Sequence, residues 1–395
     1  MRIASAVAKD LDPLHAAHHL SRATTDLLGD GPIDLACLFL SSHFAAQAEA
    51  LVEALHRALT LRLLIGCTGE GIIADSEEIE GAPGVVLWTA RLPGASLCPV
   101  RLVARPSGDS VVLREWPTQN TPDRVGAGRP SFLLFADPFT SPMDDVLGVI
   151  QSAYPGAPII GGLAGGGRES GAHRMILNQA VHDHGVVGVA MTGAVAVRTV
   201  VSQGCRPIGD RFVITRAEQN VIHELSGLPA LQQLQRVFEG LSRDDCLLAQ
   251  RALHVGLAMD EQRNRFERGD FLIRNLIGAD EASGSLAVGD LVTEGQSVQF
   301  QVRDAQAASE ELHLLLASER ARQPQAPAGA LLFSCCGRGR GLFGRPNHDV
   351  SVLRERAGPI PVAGFFAQGE IGPVGGTNYL HGYTASVALF GAVAG

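Results

Sequence analysis

A mixed α/β protein, built as two lobes of mixed β-sheet covered by helices, is what this sequence predicts, and three observations carry that expectation. The chain has 395 residues, too many for one ordinary hydrophobic core. Hydrophobic residues make up 46% and charged residues 18%, enough to fill sizeable cores and too apolar for extended disorder. A strand, a helix, a second strand ending in glycines and a returning strand recur in that order.

Apolar runs "IDLACLFLSS", "RPSFLLFADP" and "GALLFSCCGR" read as strands. Helical spacing follows each, in "AAQAEALVEALHRAL", "SPMDDVLGVIQSAY" and "HDVSVLRERAG". Short strands then run into glycine turns at "LLIGCTGEGII", "PIIGGLAGGGR" and "PVAGFFAQGEIG". Returning strands are "GVVLWTARL", "GVVGVAMTG" and "TASVALFGA". A helix between two strands makes a parallel crossover the natural connection. Nearly continuous Val, Ile and Leu suits sheets covered on both faces.

Different material separates the second and third units. A helix is expected over "NVIHELSGLPALQQLQRVFEGLS", then strands "ALHVGLAMDE", "DFLIRNLIGAD" and "QSVQFQVRD", then a helix from Ala305 to Arg322. The expected organisation is an N-terminal segment (1–29), a first lobe (30–220) and a second lobe (221–395), with the final repeat (328–395) packing back on the first. The most membrane-like run, "GVVGVAMTGAVAVRTVV", is too short to span and splits at Thr192-Gly193, so a buried β-hairpin is expected.

Composition excludes several functions. A net charge of −9 and pI near 5.8 speak against nucleic acid or an anionic membrane as the main partner. Lys9 is the only lysine, which leaves no P-loop and no pyridoxal or general-base lysine outside the N-terminal segment. Seven scattered cysteines without a C-x-x-C pair form neither a disulfide framework nor a structural zinc site and suit a reducing cytoplasm. The N-terminus lacks the apolar core of a signal peptide. His15, His18 and His19 fall on the exposed side of an expected helix, His182 and His184 share a strand face, and no third ligand accompanies them, so no metal is expected.

Candidate site residues come from the turns and from polar residues set in apolar strands. Cys67, Thr68, Glu70, Gln368 and Glu370 sit in glycine turns, which either close strands tightly or line a shared pocket. "GEGIIA" matches a dinucleotide fingerprint, but the acidic, glycine-broken "DSEEIEGAPG" after it is no pyrophosphate-binding helix. Cys335 and Cys336 end a strand just before Arg338, whose charge could stabilise a thiolate. Neighbours on a strand face opposite sides, so one thiol should face the core and the other the glycine turns. Gln203 and Arg206 leave a strand together, and Arg206 suits either a bidentate ligand clamp or a structural ion pair. Arg274 and Asn275 lie inside an apolar strand, where a charge needs a partner or a ligand. Arg206, Arg274 and Arg338 would anchor an acidic group, and Glu70 and Glu370 an amino group.

Taken in order, "LLIGCTGEGII", "VSQGCRPIG", "NVIHELSGLPAL", "LIRNLIGAD", "LLFSCCGRGRGLFG" and "PVAGFFAQGEIGPVGG" resemble the FIST domain from about residue 30 to the end. That is a sensory module with FIST N and FIST C halves, found in bacterial signalling proteins and in an F-box protein of animals. The resemblance implies a cytoplasmic sensor of small ligands, with amino acids among them, and the binding-module reading expects the ligand between the two halves. Some members are haem-containing nitric oxide sensors that work with a separate histidine kinase. No F-box, kinase, cyclase or methyl-accepting segment is present, so output is expected through a signalling partner in trans. Two alternatives stand beside this expectation of a binding module without cofactor. One is a haem sensor with a histidine axial ligand. The other is an enzyme with Cys335, Cys336 or Cys67 as nucleophile, which needs a base such as His348 or His381.

Overall fold

The computed structural model describes residues 1–107, 110–114, 128–261, 266 and 269–393. It is a mixed α/β protein, and its chain forms two compact units. The first comprises Met1–Val201, Leu312–Leu380 and Thr384–Gly395; the second comprises Ser202–Glu311 and His381–Tyr383.

In the first unit the chain opens with β1 (Arg2–Ala8), α1 (Pro13–Leu28), β2 (Leu35–Ser41), α2 (Ala48–Ala58) and β3 (Leu64–Gly69). β4 (Gly71–Ala74), β5 (Glu77–Glu80) and β6 (Val85–Arg91) follow. Asp12 caps α1 by accepting from the Leu14 and His15 amides, and Pro13 takes the position where no amide is needed. Buried Ala48, Leu51, Val52 and Leu55 form the inner stripe of α2, and β2 pairs with β3 in parallel.

A long hairpin of β7 (Ala95–Ser107) and β8 (Ser110–Arg114) leads to β9 (Ser131–Ala136), α3 (Met143–Ala153) and β10 (Ile159–Leu163). β9 and β10 are parallel, and Met143, Val146, Leu147 and Ile150 repeat the α2 spacing on α3. Next come β11 (Met175–Leu177), β12 (Ala180–His182), β13 (Val186–Gly193) and β14 (Ala196–Ser202). β13 and β14 are not the expected hairpin. β13 is flanked on both edges by β9 and β7, so β14 must enter another sheet.

The second unit holds β15 (Cys205–Glu218), β16 (Val221–Leu225), β17 (Leu228–Pro229), α4 (Ala230–Gly240), α5 (Arg243–Ala252), β18 (Leu253–Ala258), β19 (Phe271–Asp280), β20 (Ser285–Val288) and β21 (Ser297–Arg303). The expected long helix from Asn220 is therefore a hairpin followed by a shorter helix. Ser226 and Gly227 both have positive φ (49° and 80°), which turns the chain back and lets β17 pair with β16. The strands run in the order β15-β21-β18-β19-β20-β16, and β16 pairs with β15 again, so the sheet closes on itself. Its core joins Val255, Leu257, Phe300 and Val302 to Leu234, Val237 and Ala249 of the two helices.

After α6 (Ala305–Arg322) come β22 (Gly329–Cys335), α7 (Gly339–Phe343), α8 (His348–Ala357), β23 (Val362–Ala367), β24 (Glu370–Val374), β25 (Thr377–His381) and β26 (Ala385–Gly391). β22 and β23 are the third parallel pair.

The three pairs share one register. Leu38 lies opposite Gly66, Leu134 opposite Gly161 and Leu332 opposite Gly364. A Cβ on these glycines would sit 2.0, 1.8 and 1.7 Å from the facing leucine carbonyl oxygen, so no other residue fits. One residue further on, Phe39, Phe135 and Phe333 meet with ring centroids 5.2 to 6.2 Å apart, and Phe365 packs among them. Beyond each glycine the chain crosses to a neighbouring sheet. β4 adds to β23, β24 adds to β10, and β11 adds to β3. The exchange is cyclic.

Candidate functional site

That exchange brings the three glycine turns into contact. The Glu70 amide donates to the Phe366 carbonyl (3.0 Å) and the Gly165 amide to the Thr68 carbonyl (3.0 Å). The Leu163 amide donates to the Gly369 carbonyl (2.8 Å), and Gln368 Nε2 donates to the Gly167 carbonyl (3.1 Å). Cys67 and Thr68 are sealed inside this junction, while Glu70 and Gln368 lie exposed at its surface. Burial, reinforced by nearby Cys37, raises the Cys67 thiol's pKa, which keeps it protonated and unreactive. After Glu70 the chain continues as strand β4, not as a helix, so no pyrophosphate cradle forms.

The junction is bolted by a pair that sequence reasoning missed. Asp137 and His173 are both fully buried, with His173 Nδ1 2.8 Å from Asp137 Oδ1. The Gly167 amide donates to His173 Nε2 (3.2 Å), which places the ring proton on Nδ1, facing Asp137. Burial opposes ionisation of Asp137, but hydrogen bonds from His173 and Thr140 outweigh it and lower its pKa.

Beside the junction, β22 ends in Ser334 and Cys335, and a tight turn follows in which the Arg338 amide donates to the Cys335 carbonyl. Cys335, the last residue of β22, is buried, and Cys336, the first of the turn, is exposed. Arg338 is 1% exposed and grips Asp349 at both ends of its carboxylate, Nε–Oδ2 2.6 Å and Nη2–Oδ1 2.8 Å. Ser334 Oγ also donates to Oδ2 (2.6 Å), and His348 Nδ1 lies 2.9 Å from Oδ1. Burial alone would raise the Asp349 pKa, but the Arg338 charge and these hydrogen bonds hold it well below the usual carboxylate range. The Nε and Nη2 edge of Arg338 is thereby matched to Asp349, and its charge also reaches Glu370.

Two further carboxyls face this pair. Glu78, on β5, gives Oε1 to the Val350 amide (3.0 Å), and Oε2 is buried without a hydrogen-bond partner among the described residues. Burial, and then the Asp349 charge, push its pKa up to about 7. Glu370 is fully buried at the start of β24. Its Oε2 accepts from the Thr384 amide (3.0 Å) and from Thr384 Oγ1 (2.7 Å), and Oε1 has no partner among the described residues. Burial, reinforced by Cys335, raises its pKa far above the ordinary value. The buried site therefore favours the protonated form of Glu370 beside the Cys335 thiol, although the Arg338 charge and the Thr384 hydrogen bonds work the other way.

The remaining predicted residues lie in the second unit. Gln203 donates from Nε2 to the Phe271 carbonyl (2.6 Å), and its amide donates to Glu311 Oε2 (2.6 Å), which also receives Ser202 Oγ and the Gly204 amide. Arg206 pairs with Asp304 (2.8 Å) and Asp245, and Arg274 pairs with Asp290 (2.6 Å). Asn275 Oδ1 accepts from the Tyr383 hydroxyl. All three candidate arginines are thus matched by carboxylates of the chain itself.

With this geometry established, comparison with known proteins places the chain. The FIST N domain model matches residues 34–228 and the FIST C domain model residues 230–373. The protein belongs to the FIST family. FIST domains are associated with sensory signal transduction. An uncharacterized protein of Mycobacterium tuberculosis strain H37Rv is 40% identical over 99% of this chain and 100% of its own length. A second uncharacterized protein, from Mycobacterium bovis, is also 40% identical, over 99% of each chain. The two family models meet at residues 228–230, within the second compact unit, so that unit contains the end of one half and most of the other. No helix among the described residues is long and apolar enough to cross a membrane.

Proposed function

We propose that this FIST protein is a cytoplasmic sensor that binds a small amino-bearing metabolite, such as an amino acid, and signals through a separate protein partner. The observation that carries this reading is Glu370: a buried carboxyl whose Oε1 meets no partner while Oε2 is anchored by Thr384. An unpaired buried polar atom costs on the order of 1–3 kcal/mol, which an ammonium donor would offset. Such a ligand also ionises Glu370, and so favours whichever arrangement of the chain keeps the pair together. Glu70 and Gln368, exposed at the turn junction, supply further polar contacts. Seven free thiols suit a reducing compartment.

The test is a melting-temperature screen of the full chain against single amino acids and simple amines. A ligand at 100 times its Kd stabilises the native state by about 2.7 kcal/mol. Glu370→Gln should keep the fold and lose the response. A Glu370→Gln variant that responds like the parent, or a screen in which no amine raises the melting temperature, sinks this reading. Protein purified without added cofactor should show no Soret band; a stoichiometric one would restore the haem alternative.

A further inference from the structure

One face of the closed sheet in the second unit carries a cation, Arg303, whose Nε and Nη2 have no hydrogen-bond partner among the described residues. His254 lies directly opposite Asn275 on β19 and Gln301 on β21, and Arg303 shares that face two residues beyond Gln301. The Arg303 guanidinium stands 5.1 Å from the Tyr383 ring centroid, and the His254 ring stacks on the same tyrosine at 4.2 Å.

Arg303 Nε and Nη2 are buried, and neither has a hydrogen-bond partner among the described residues. These two atoms form the edge with which Arg338 grips Asp349 in the first unit. A guanidinium presenting that edge matches a planar carboxylate in two parallel hydrogen bonds. His254 makes a second observation. It is 7% exposed, and neither ring nitrogen has a partner among the described residues. Burial, and then the charge of Arg303, lower its pKa to about 4, so at neutral pH it offers one donor and one acceptor. Tyr383 adds a third. It holds φ at 67°, which a bulky residue rarely adopts, and its hydroxyl is tied to Asn275. The tyrosine ring is thus a shared platform that both Arg303 and His254 meet.

We propose that Arg303, His254 and the Tyr383 ring form a binding site for a small carboxylic acid that carries a second hydrogen-bonding group, such as a hydroxyl. The carboxylate takes the Nε and Nη2 edge of Arg303, and the second group meets His254. Every residue of this site belongs to the second unit, so the inference does not depend on Glu370 or on the amino-group reading above.

Titration of the full chain with acetate, L-lactate, succinate and inorganic phosphate at constant ionic strength tests it. His254 ring resonances are assigned by difference from a His254→Gln variant. L-lactate should move those resonances and bind more tightly than acetate. Arg303→Lys keeps the charge but not the fork, and should weaken binding by roughly tenfold or more. The parent chain decides even if an Arg303 variant misfolds. No movement of the His254 resonances by any carboxylate at about 10 mM, where one charged pair already gives measurable occupancy, overturns the proposal. So does tighter binding of phosphate than of every carboxylate, or unchanged L-lactate binding by a folded Arg303→Lys variant. Because the Glu370→Gln melting response is read separately, either idea can fail alone.

Discussion

Glu78 shows how far a side chain's role depends on what surrounds it. In the sequence it is one of several acids in a polar loop between glycines. In the structure that loop is β5, and Glu78 is 6% exposed against the negative charge of Asp349. With its folded pKa raised from 4.5 to about 7, the native state holds a proton that the unfolded chain releases between those values. Its stabilising contribution is therefore complete below pH 4.5 and lost as pH rises through 7. Glu78→Gln keeps an oxygen for the Val350 amide and removes the titration. Between pH 5 and 8 the parent should lose on the order of 1–3 kcal/mol of stability relative to the variant. Denaturant midpoints across that range check it, and parallel pH profiles would show that Glu78 does not titrate there. The candidate arginines were visible as a charge inside an apolar strand (Arg274) and charges at strand ends (Arg206, Arg338), and each has a carboxylate partner. The partners Asp304, Asp290 and Asp349 were not visible, because 98, 16 and 11 residues separate them from the arginines they hold.

At the scale of elements, apolar runs and helical spacing were enough to locate the three parallel pairs and their crossover helices. Two elements were misread for local reasons. "NVIHEL" carries apolar residues at positions a helix would also use, and only the positive φ at Ser226 and Gly227 separates the readings. β13 and β14 look like a hairpin because Thr192-Gly193 is a turn signal, but the register of β13 with β7 uses up that edge. Glycine alone in a strand marked close backbone approach, and the equivalence of Gly66, Gly161 and Gly364 gives that meaning a testable form. Gly364→Ala forces a methyl group to within 1.7 Å of the Leu332 carbonyl oxygen, so the parallel pair must separate. The expected loss is about 3 kcal/mol or more, at or beyond the upper end for overpacked cores. Gly391→Ala, at the open end of β26, meets nothing within 4 Å and serves as control. Equal melting temperatures for the two variants would remove the close-packing argument.

The whole molecule is least legible in the sequence, because its pairing is not local. β4 is made before residue 75 but completes a sheet with β23, which begins at Val362. Nothing in either segment announces the other beyond a similar glycine turn. The second unit behaves differently: the pairings that close its sheet lie within Cys205–Arg303. Its helices α4 and α5 bring their own apolar faces to the core. A fragment of residues 202–311 should therefore fold by itself, with a cooperative thermal transition and β-rich circular dichroism. It lacks Tyr383, so the His254 stacking partner is absent, and it should bind L-lactate more weakly than the full chain does. A fragment of residues 1–201 should fail by contrast. Without β23, the edge of β4 is left unpaired and apolar Ile72 and Ile73 are uncovered, a template for association between copies. Adding residues 312–395 in trans should restore a soluble, cooperatively melting first unit, because they return both β23 and the Phe333 and Phe365 rings to the core. If 1–201 instead stays monomeric and melts cooperatively alone, the cyclic strand exchange is not what holds that unit together.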